Sequence, residues 1–172
     1  MNIWHQPVRV RGAVMWSYTI VALLCAAAAV DAELYYNSTA VTRCTRSSRA
    51  ELPMNVYIQG CVDPPCSLTQ LKDAEMDVVF QAPRYLEDME TLATAYLGIV
   101  PIPYPLGQDS FTCNNLVNSY CPLLEGEVLK YKLKLYIEEF MAVGVSANIE
   151  FRVRERGGAD LFCFRTNIRI VR

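Results

Sequence analysis

Hydrophobic and polar residues alternate most clearly in the C-terminal part of the chain. In residues 129–138 every second side chain is apolar, and lysines fill most of the positions between. Residues 147–154 repeat the pattern, and residues 162–170 follow it after a turn at 155–159 that contains two glycines. A period of two predicts β-strands with one buried and one solvated face. We therefore expect three strands here, arranged as an antiparallel meander.

The N-terminal half shows the same alternation in shorter segments. Residues 54–59 and 76–81 alternate, and residues 91–100 form a further apolar segment. Pro101, Pro103 and Pro105 follow at every second position and cannot join the centre of a sheet, so they predict a stiff, extended rim segment. Several short strands separated by turns predict an all-β domain, either a sandwich or a barrel.

The first 32 residues have the composition of a cleaved secretory signal. Arg9 and Arg11 precede an apolar stretch at 13–30, and small residues precede a cleavage site after Ala32. The alternative is a transmembrane anchor, since the apolar stretch is about long enough to span a bilayer. We predict a signal peptide at 1–32 and a single domain at 33–172, secreted to the extracellular space or delivered to the lysosomal lumen. Asn37 begins an Asn-Ser-Thr sequon and is a predicted glycosylation site.

The composition of residues 33–172 excludes several kinds of chemistry. His5 is the only histidine, and it lies within the predicted signal. The domain therefore cannot use a Ser-His or Cys-His mechanism, nor an ordinary zinc site that contains histidine. We expect a protein that is not an enzyme, with no cofactor and no metal.

Six cysteines remain after the predicted signal is removed. An even number in a secreted chain predicts three disulfides, and a zinc site is the alternative. Two pairs are close in sequence, Cys61 with Cys66 and Cys113 with Cys121, which would leave Cys44 and Cys163 to join the ends of the domain. Six cysteines permit about 15 pairings, so the spacing leaves the connectivity open.

Charge is distributed unevenly along the chain. Residues 130–172 hold nine basic and five acidic residues, whereas residues 33–129 hold five basic and twelve acidic ones. A basic C-terminal third is suited to an anionic membrane surface. Ordinary solvated strand faces explain the same charges.

Several short segments together resemble the ML (lipid-recognition) domain family. They are residues 161–164 (Leu-Phe-Cys-Phe), residues 98–105 with the Pro-Ile-Pro-Tyr-Pro sequence, Cys121-Pro122, and the segment 61–68. Within that family the chain is most similar to the Niemann-Pick type C protein two subgroup, also called epididymal secretory sterol carriers, and to its diverse arthropod members. The resemblance implies an immunoglobulin-like β-sandwich of two antiparallel sheets. It also implies the pairings Cys44–Cys163, Cys61–Cys66 and Cys113–Cys121.

The resemblance further implies a lipid cavity between the two sheets. Tyr104 matches an aromatic position at the mouth of the family's pocket, Ile102 matches its aliphatic neighbour, and Ile137 matches a lining position. Phe140 or Met141 stands near a tyrosine of the family's pocket mouth, which is missing in this chain. The candidate lipid-binding residues are therefore Ile102, Tyr104, Ile137, Phe140, Met141, Phe151 and Phe164, each of which is also a candidate for ordinary core. Phe151 and Phe164 occupy positions where sterol carriers often have tryptophan.

These features predict a secreted carrier that encloses a sterol or a similar lipid and transfers it. The expected partners are the lipid and, as acceptor, a membrane sterol transporter or an anionic membrane surface, with no role for nucleic acid. One alternative is an innate-immune binder of bacterial glycolipid. A second is a structural or adhesion sandwich without a ligand.

Overall fold

The computed structural model describes residues 37–45 and 50–172, and the predicted signal peptide with its cleavage site lies outside these residues. The described residues form nine strands and two short 3₁₀ helices, Gly107–Ser110 and Thr112–Asn115. The strands are β1 (Thr42–Arg43), β2 (Asn55–Ile58), β3 (Cys66–Thr69), β4 (Asp73–Gln81), β5 (Met89–Leu97), β6 (Val100–Tyr104), β7 (Val128–Tyr136), β8 (Ser146–Glu155) and β9 (Asp160–Val171).

The strands form two sheets. In the larger sheet the order is β1-β9-β8-β5-β6, and β3 also pairs with β9, in parallel. In the smaller sheet the order is β2-β4-β7, with both pairs antiparallel. The proline-rich segment forms β6, an edge strand whose one partner among the described strands is β5. Edge strands tolerate proline because one side of the backbone makes no ladder hydrogen bonds.

The predicted meander is correct for β8 and β9 but wrong for β7. Strands β8 and β9 pair antiparallel, with Phe151 opposite Phe164. Strand β7 pairs instead with β4 in the smaller sheet, and the chain crosses to the larger sheet between Tyr136 and Ser146. Both sheets of a sandwich have one buried and one solvated face, so the same alternation fits either sheet.

The core lies between the sheets and is built from the inward side chains of both. The rings of Phe80 and Phe162 have centroids 4.9 Å apart, and those of Phe151 and Phe164 are 5.3 Å apart. These four rings are at most 3% exposed. The two-sheet, all-β architecture expected from the sequence is confirmed.

Three disulfides tie the sandwich together, with the pairings that the family resemblance implied. Cys44–Cys163 joins residues 119 positions apart, whereas Cys61–Cys66 and Cys113–Cys121 close short loops of 5 and 8 positions. The Cys61–Cys66 loop leads directly into β3, which begins at Cys66. All six cysteines that follow the predicted signal are thus paired, and none of their sulfur atoms remains as a thiolate for a metal.

Candidate functional site

A cavity of about 340 Å³ lies between the two sheets. The larger sheet supplies most of its wall, and the smaller sheet contributes Leu135 of β7. The wall residues are Ala93, Ala95, Leu97, Ile102, Tyr104, Leu135, Phe140, Met141, Ala142, Val145, Ala147, Ile149, Ile168 and Ile170. The cavity is at the lower end of the range of roughly 300–1,000 Å³ for sites that bind drug-sized molecules.

Small side chains on β5 create this space. Ala93 lies opposite Phe151 on one side and Tyr104 on the other, and Ala95 lies opposite Ile149 and Ile102. In a packed sandwich such positions normally carry larger residues that interdigitate with the opposite sheet. The two inward alanines therefore leave a slot along β5. Sequence reasoning missed them, although alanine at alternate positions of an apolar strand was a usable signal.

The cavity opens at one end of the sandwich. The β5–β6 hairpin borders this opening on one side, and its tip turns at Gly98, whose φ of +62° suits glycine. The loop between β7 and β8 borders the other side and carries Phe140 and Met141. Both segments expose large apolar side chains, which we call the apolar rim: Leu97, Ile99, Val100, Ile102, Phe140, Val143 and Val145. Ile99 is 91% exposed and Phe140 is 78% exposed.

One hydroxyl group lies on the otherwise apolar wall. Tyr104 donates a hydrogen bond to the backbone carbonyl oxygen of Tyr136, with an oxygen–oxygen distance of 2.7 Å. Partial burial raises the pKa of Tyr104 above its usual value, and the negative charge of Glu138 raises this pKa further. The phenol is therefore protonated at neutral pH and remains a hydrogen-bond donor.

The side chain of Gln70 holds the loop that carries Phe140 and Met141. Its amide nitrogen donates to the backbone oxygens of Glu139 and Met141, at 2.7 and 3.0 Å. The backbone N–H of Gly144 also donates to the carbonyl oxygen of Ile170, at 2.8 Å. This side of the opening is thus fixed by hydrogen bonds to the backbone as well as by packing.

The structure brings together four of the seven candidate lipid-binding residues. Ile102, Tyr104, Phe140 and Met141 lie on the cavity wall. Ile137, Phe151 and Phe164 are buried in the core and are not part of that wall. Phe151 is nevertheless the direct neighbour of Ala93, so it borders the inner end of the slot. A role in lipid binding stays a prediction for all seven residues.

No basic side chain is among the described residues of the cavity wall. Lys130 pairs with Asp77, while Lys132 and Lys134 pair with Glu75 across β4 and β7. Arg152 pairs with Glu150 and Asp160. Glu150 is itself buried, at 3% exposed, and neither these cations nor their acidic partners are among the residues of the cavity wall.

Potential metal ligands cluster at one place among residues 37–45 and 50–172, at Cys44, Glu150 and Cys163. The disulfide between the two cysteines removes both sulfur atoms as thiolate ligands. In the same part of the chain, no helix is long and apolar enough to cross a membrane.

Comparison with known proteins decides the family. The model of the ML domain family matches residues 38–170, almost all of the described chain. The chain belongs to the ML domain family. Its resemblance to that family, first inferred from short segments, is thereby confirmed.

The sequence identity of this ML domain to individual relatives is low. The domain is 25% identical over 119 residues to the NPC intracellular cholesterol transporter 2 of zebrafish (Danio rerio), an alignment that covers 69% of this chain and 76% of that protein. It also resembles the crystal structure of a Niemann-Pick type C2 protein from the Japanese carpenter ant, with 20% identity and a TM-score of 0.64. That match covers 76% of this chain and 98% of the ant protein, and it supports the fold.

Proposed function

We propose that this ML domain is a secreted carrier that encloses a sterol or a similar lipid in the cavity between its sheets and passes it to an acceptor. The observation that carries the proposal is the cavity itself, which has an apolar wall and opens at an apolar rim. The zebrafish relative, named as an intracellular cholesterol transporter, supports a sterol as the class of ligand.

The free energy gained by burying apolar surface favours binding of a lipid in this cavity. Burial of several hundred Å² of lipid surface contributes on the order of 10 kcal/mol at about 25 cal/mol per Å². Loss of translational and rotational freedom offsets at least about 4 kcal/mol of this. The remainder of at most about 6 kcal/mol lies between the values for dissociation constants of about 1 mM and 1 μM. A slot that is already present along the two alanines of β5 lowers the cost of ordering the site.

Binding in this cavity needs no reactive group, which suits a carrier rather than an enzyme. The wall holds one hydroxyl, that of Tyr104, and it is already engaged by the Tyr136 carbonyl. We propose that neither a cofactor nor a metal takes part. A glycolipid binder would gain from cations beside the opening to pair with an anionic head group, whereas the lysines of β7 are held by Glu75 and Asp77.

The apolar rim supports transfer to a membrane sterol transporter or directly to a membrane surface. Exposed apolar patches of this kind mark sites of protein or membrane interaction. Contact between the rim and the acceptor would shield the lipid from water as it leaves the cavity. We further propose that the signal is cleaved after Ala32 and that the exposed Asn37 carries a glycan.

Organic extraction and mass spectrometry of the natively secreted protein test the proposal. A stoichiometric sterol that a fluorescent sterol displaces supports the carrier. A bound acyl lipid or glycolipid shifts the ligand class. A protein that contains no lipid and takes up no probe overturns the proposal and leaves a structural sandwich.

Two neighbouring substitutions on β5 locate the binding site. Ala95 faces the cavity, whereas Thr94 faces the opposite side of the sheet because side chains alternate along a strand. Ala95→Leu fills the slot, so we expect sterol affinity to fall about tenfold, the equivalent of about 1.4 kcal/mol. Thr94→Leu adds similar apolar volume outside the cavity and should leave the affinity unchanged. Equal affinities in the two variants would place the lipid elsewhere.

A further inference from the structure

A buried hydroxyl group without a partner adjoins the cavity. Thr166 on β9 is 3% exposed, and its Oγ1 atom makes no hydrogen bond with any residue that the structure describes. The residue lies directly opposite Ile149 in the antiparallel pair of β8 and β9, and Ile168 follows two positions later. Both isoleucines are on the cavity wall. Because paired residues and residues two apart share one face of a sheet, the Thr166 side chain lies on the inner face.

The other buried threonines of the described chain are all satisfied. The Oγ1 atom of Thr39 donates to the carbonyl oxygen of Cys61 and accepts from the N–H of Ile58. The Oγ1 atoms of Thr91 and Thr112 are 2.8 Å apart and share a hydrogen bond. Thr166 is thus the exception. Valine has the same shape without the hydroxyl, and an unsatisfied buried hydroxyl is costly. The hydroxyl at position 166 is therefore unfavourable in the protein unless something else bonds to it.

We propose that Thr166 binds an oxygen atom on the end of the lipid that enters the cavity first. This inference rests on the proposed carrier function and specifies the chemistry of its ligand. A cavity of about 340 Å³ is small for a lipid of sterol size, so binding has to widen it. Thr166 is not on the wall itself, but its neighbours Ile149 and Ile168 are. A change of rotamer at either isoleucine extends the cavity toward the hydroxyl.

The surroundings restrict this oxygen to a neutral group. None of the wall residues that the structure describes is charged, so an ionised carboxylate buried there would lose its hydration without gaining a cation. A hydroxyl or a carbonyl group avoids this cost, and threonine can donate to either one. In a sterol, the oxygen is either the ring hydroxyl, if the rings enter first, or a hydroxyl on the side chain, if the tail enters first.

Two probes and three variants test the inference. The probes are cholesterol and cholesterol that bears an added hydroxyl at the end of its side chain. Thr166→Val removes the hydroxyl and keeps the shape, Thr166→Ser keeps the hydroxyl, and Ile149→Val alters the wall without touching a polar group. We expect Thr166→Val to weaken at least one probe about fivefold, which corresponds to one hydrogen bond of roughly 1 kcal/mol. Thr166→Ser should restore that affinity, and Ile149→Val should affect both probes alike.

The losses of affinity in Thr166→Val identify which end of the sterol enters the cavity first. A loss for both probes assigns the ring hydroxyl to Thr166, and a loss for the hydroxylated side chain alone assigns the tail. Thr166→Val should also unfold at an equal or higher temperature, since it removes an unsatisfied buried hydroxyl. Unchanged affinity of Thr166→Val for both probes overturns the inference while the carrier function stands. If the parent protein binds neither probe, the assignment of a sterol as the ligand and this inference fall together.

Discussion

The hydroxyl of Tyr104 and the backbone carbonyl of Tyr136 join the two sheets beside the cavity, at an oxygen–oxygen distance of 2.7 Å. Tyr104 is the last residue of β6, which is an edge strand of the larger sheet. Tyr136 is the last residue of β7, which is an edge strand of the smaller sheet. The sheets of a sandwich are about 10 Å apart, so few side chains reach across to a backbone atom. This bond closes one side of the sandwich at the level of the cavity and restrains the two edges that must separate to admit a lipid.

Tyr104→Phe therefore should speed the release of a bound lipid. The ring remains on the cavity wall, but the bond to Tyr136 is lost, which lowers the free energy of unfolding by about 0.5–1.5 kcal/mol. We expect the dissociation rate of a fluorescent sterol, measured by stopped-flow displacement, to rise about fivefold for a loss of 1 kcal/mol. Tyr136→Phe is the matched control, because Tyr136 contributes only its backbone oxygen. Equal dissociation rates in the two variants would mean that the bond does not restrain release.

Gln70 should control the order of the loop that carries Phe140 and Met141. Gln70→Ala removes both hydrogen bonds to that loop, and we expect faster amide hydrogen exchange in residues 138–145 and a roughly threefold loss of sterol affinity. Gln81→Ala is the control, since Gln81 also donates from its side chain to a backbone oxygen, that of Gly126. Gln81 is not on the cavity wall. If both variants bind sterol equally, the loop does not depend on Gln70.

The apolar rim should govern transfer more than binding. Ile99 at the tip of the β5–β6 hairpin is 91% exposed and is not part of the cavity wall. Ile99→Asp should leave sterol affinity unchanged but slow transfer to acceptor vesicles by about tenfold, because the charged tip no longer enters an apolar surface. The readout is fluorescence energy transfer from the protein-bound sterol to a vesicle dye. Tyr120→Asp, at a residue that is 81% exposed but lies in the Cys113–Cys121 loop, should transfer at the parental rate. Slowing in both variants would indicate a general effect of negative charge.

Removing the two kinds of disulfide should cost different amounts of stability. In the loop-entropy model, a closure over 119 positions contributes about 5 kcal/mol, and one over 5 positions contributes about 2 kcal/mol. Replacing Cys44 and Cys163 by alanine should therefore lower the free energy of unfolding more than twice as much as replacing Cys61 and Cys66. Urea denaturation of the two double variants measures the difference. A larger loss for the short loop would show that the entropic account is wrong here.

The sequence predicted the strands well and the cavity only in part, for physical reasons. Strand alternation reports which face is buried, so the strand at 129–138 was clear, but its sheet was not, because β7 shares its pattern with β8 and β9. Strand β3 was not predicted, since four residues are too few to show a period. The cavity depends on the small side chains of Ala93 and Ala95. Their alternation was visible in the sequence, but whether larger neighbours fill the space beside them is known only from the pairing across β5. The unpaired hydroxyl of Thr166 likewise emerges only when its partners are known.

Acidification should weaken the charge cluster on the smaller sheet. The Glu75 carboxylate is 3.3 Å from the Nζ atom of Lys134 and 3.4 Å from that of Lys132. Lys134 first, and then Lys132, holds the pKa of Glu75 below its ordinary value of 4.5. Because the folded-state pKa is lowered, the contribution to stability is complete above pH 4.5 and is lost as the pH falls through the folded-state value.

Glu75→Gln measures this contribution. We expect the variant to be less stable than the parent at neutral pH, by an amount that 0.5 M salt reduces to about half or less, because exposed charges are screened. The gap in the free energy of unfolding between the two proteins should close as the pH falls below 4.5 and through the folded-state pKa of Glu75, because the parent's carboxylate is then protonated and neutral like the glutamine. Glu125→Gln, at an exposed glutamate for which the described residues provide no ion pair, should track the parent throughout. Urea denaturation across this range provides the measurement. A gap that does not narrow as the parent's Glu75 becomes protonated would show that the lysines of β7 do not stabilise the sheet through Glu75.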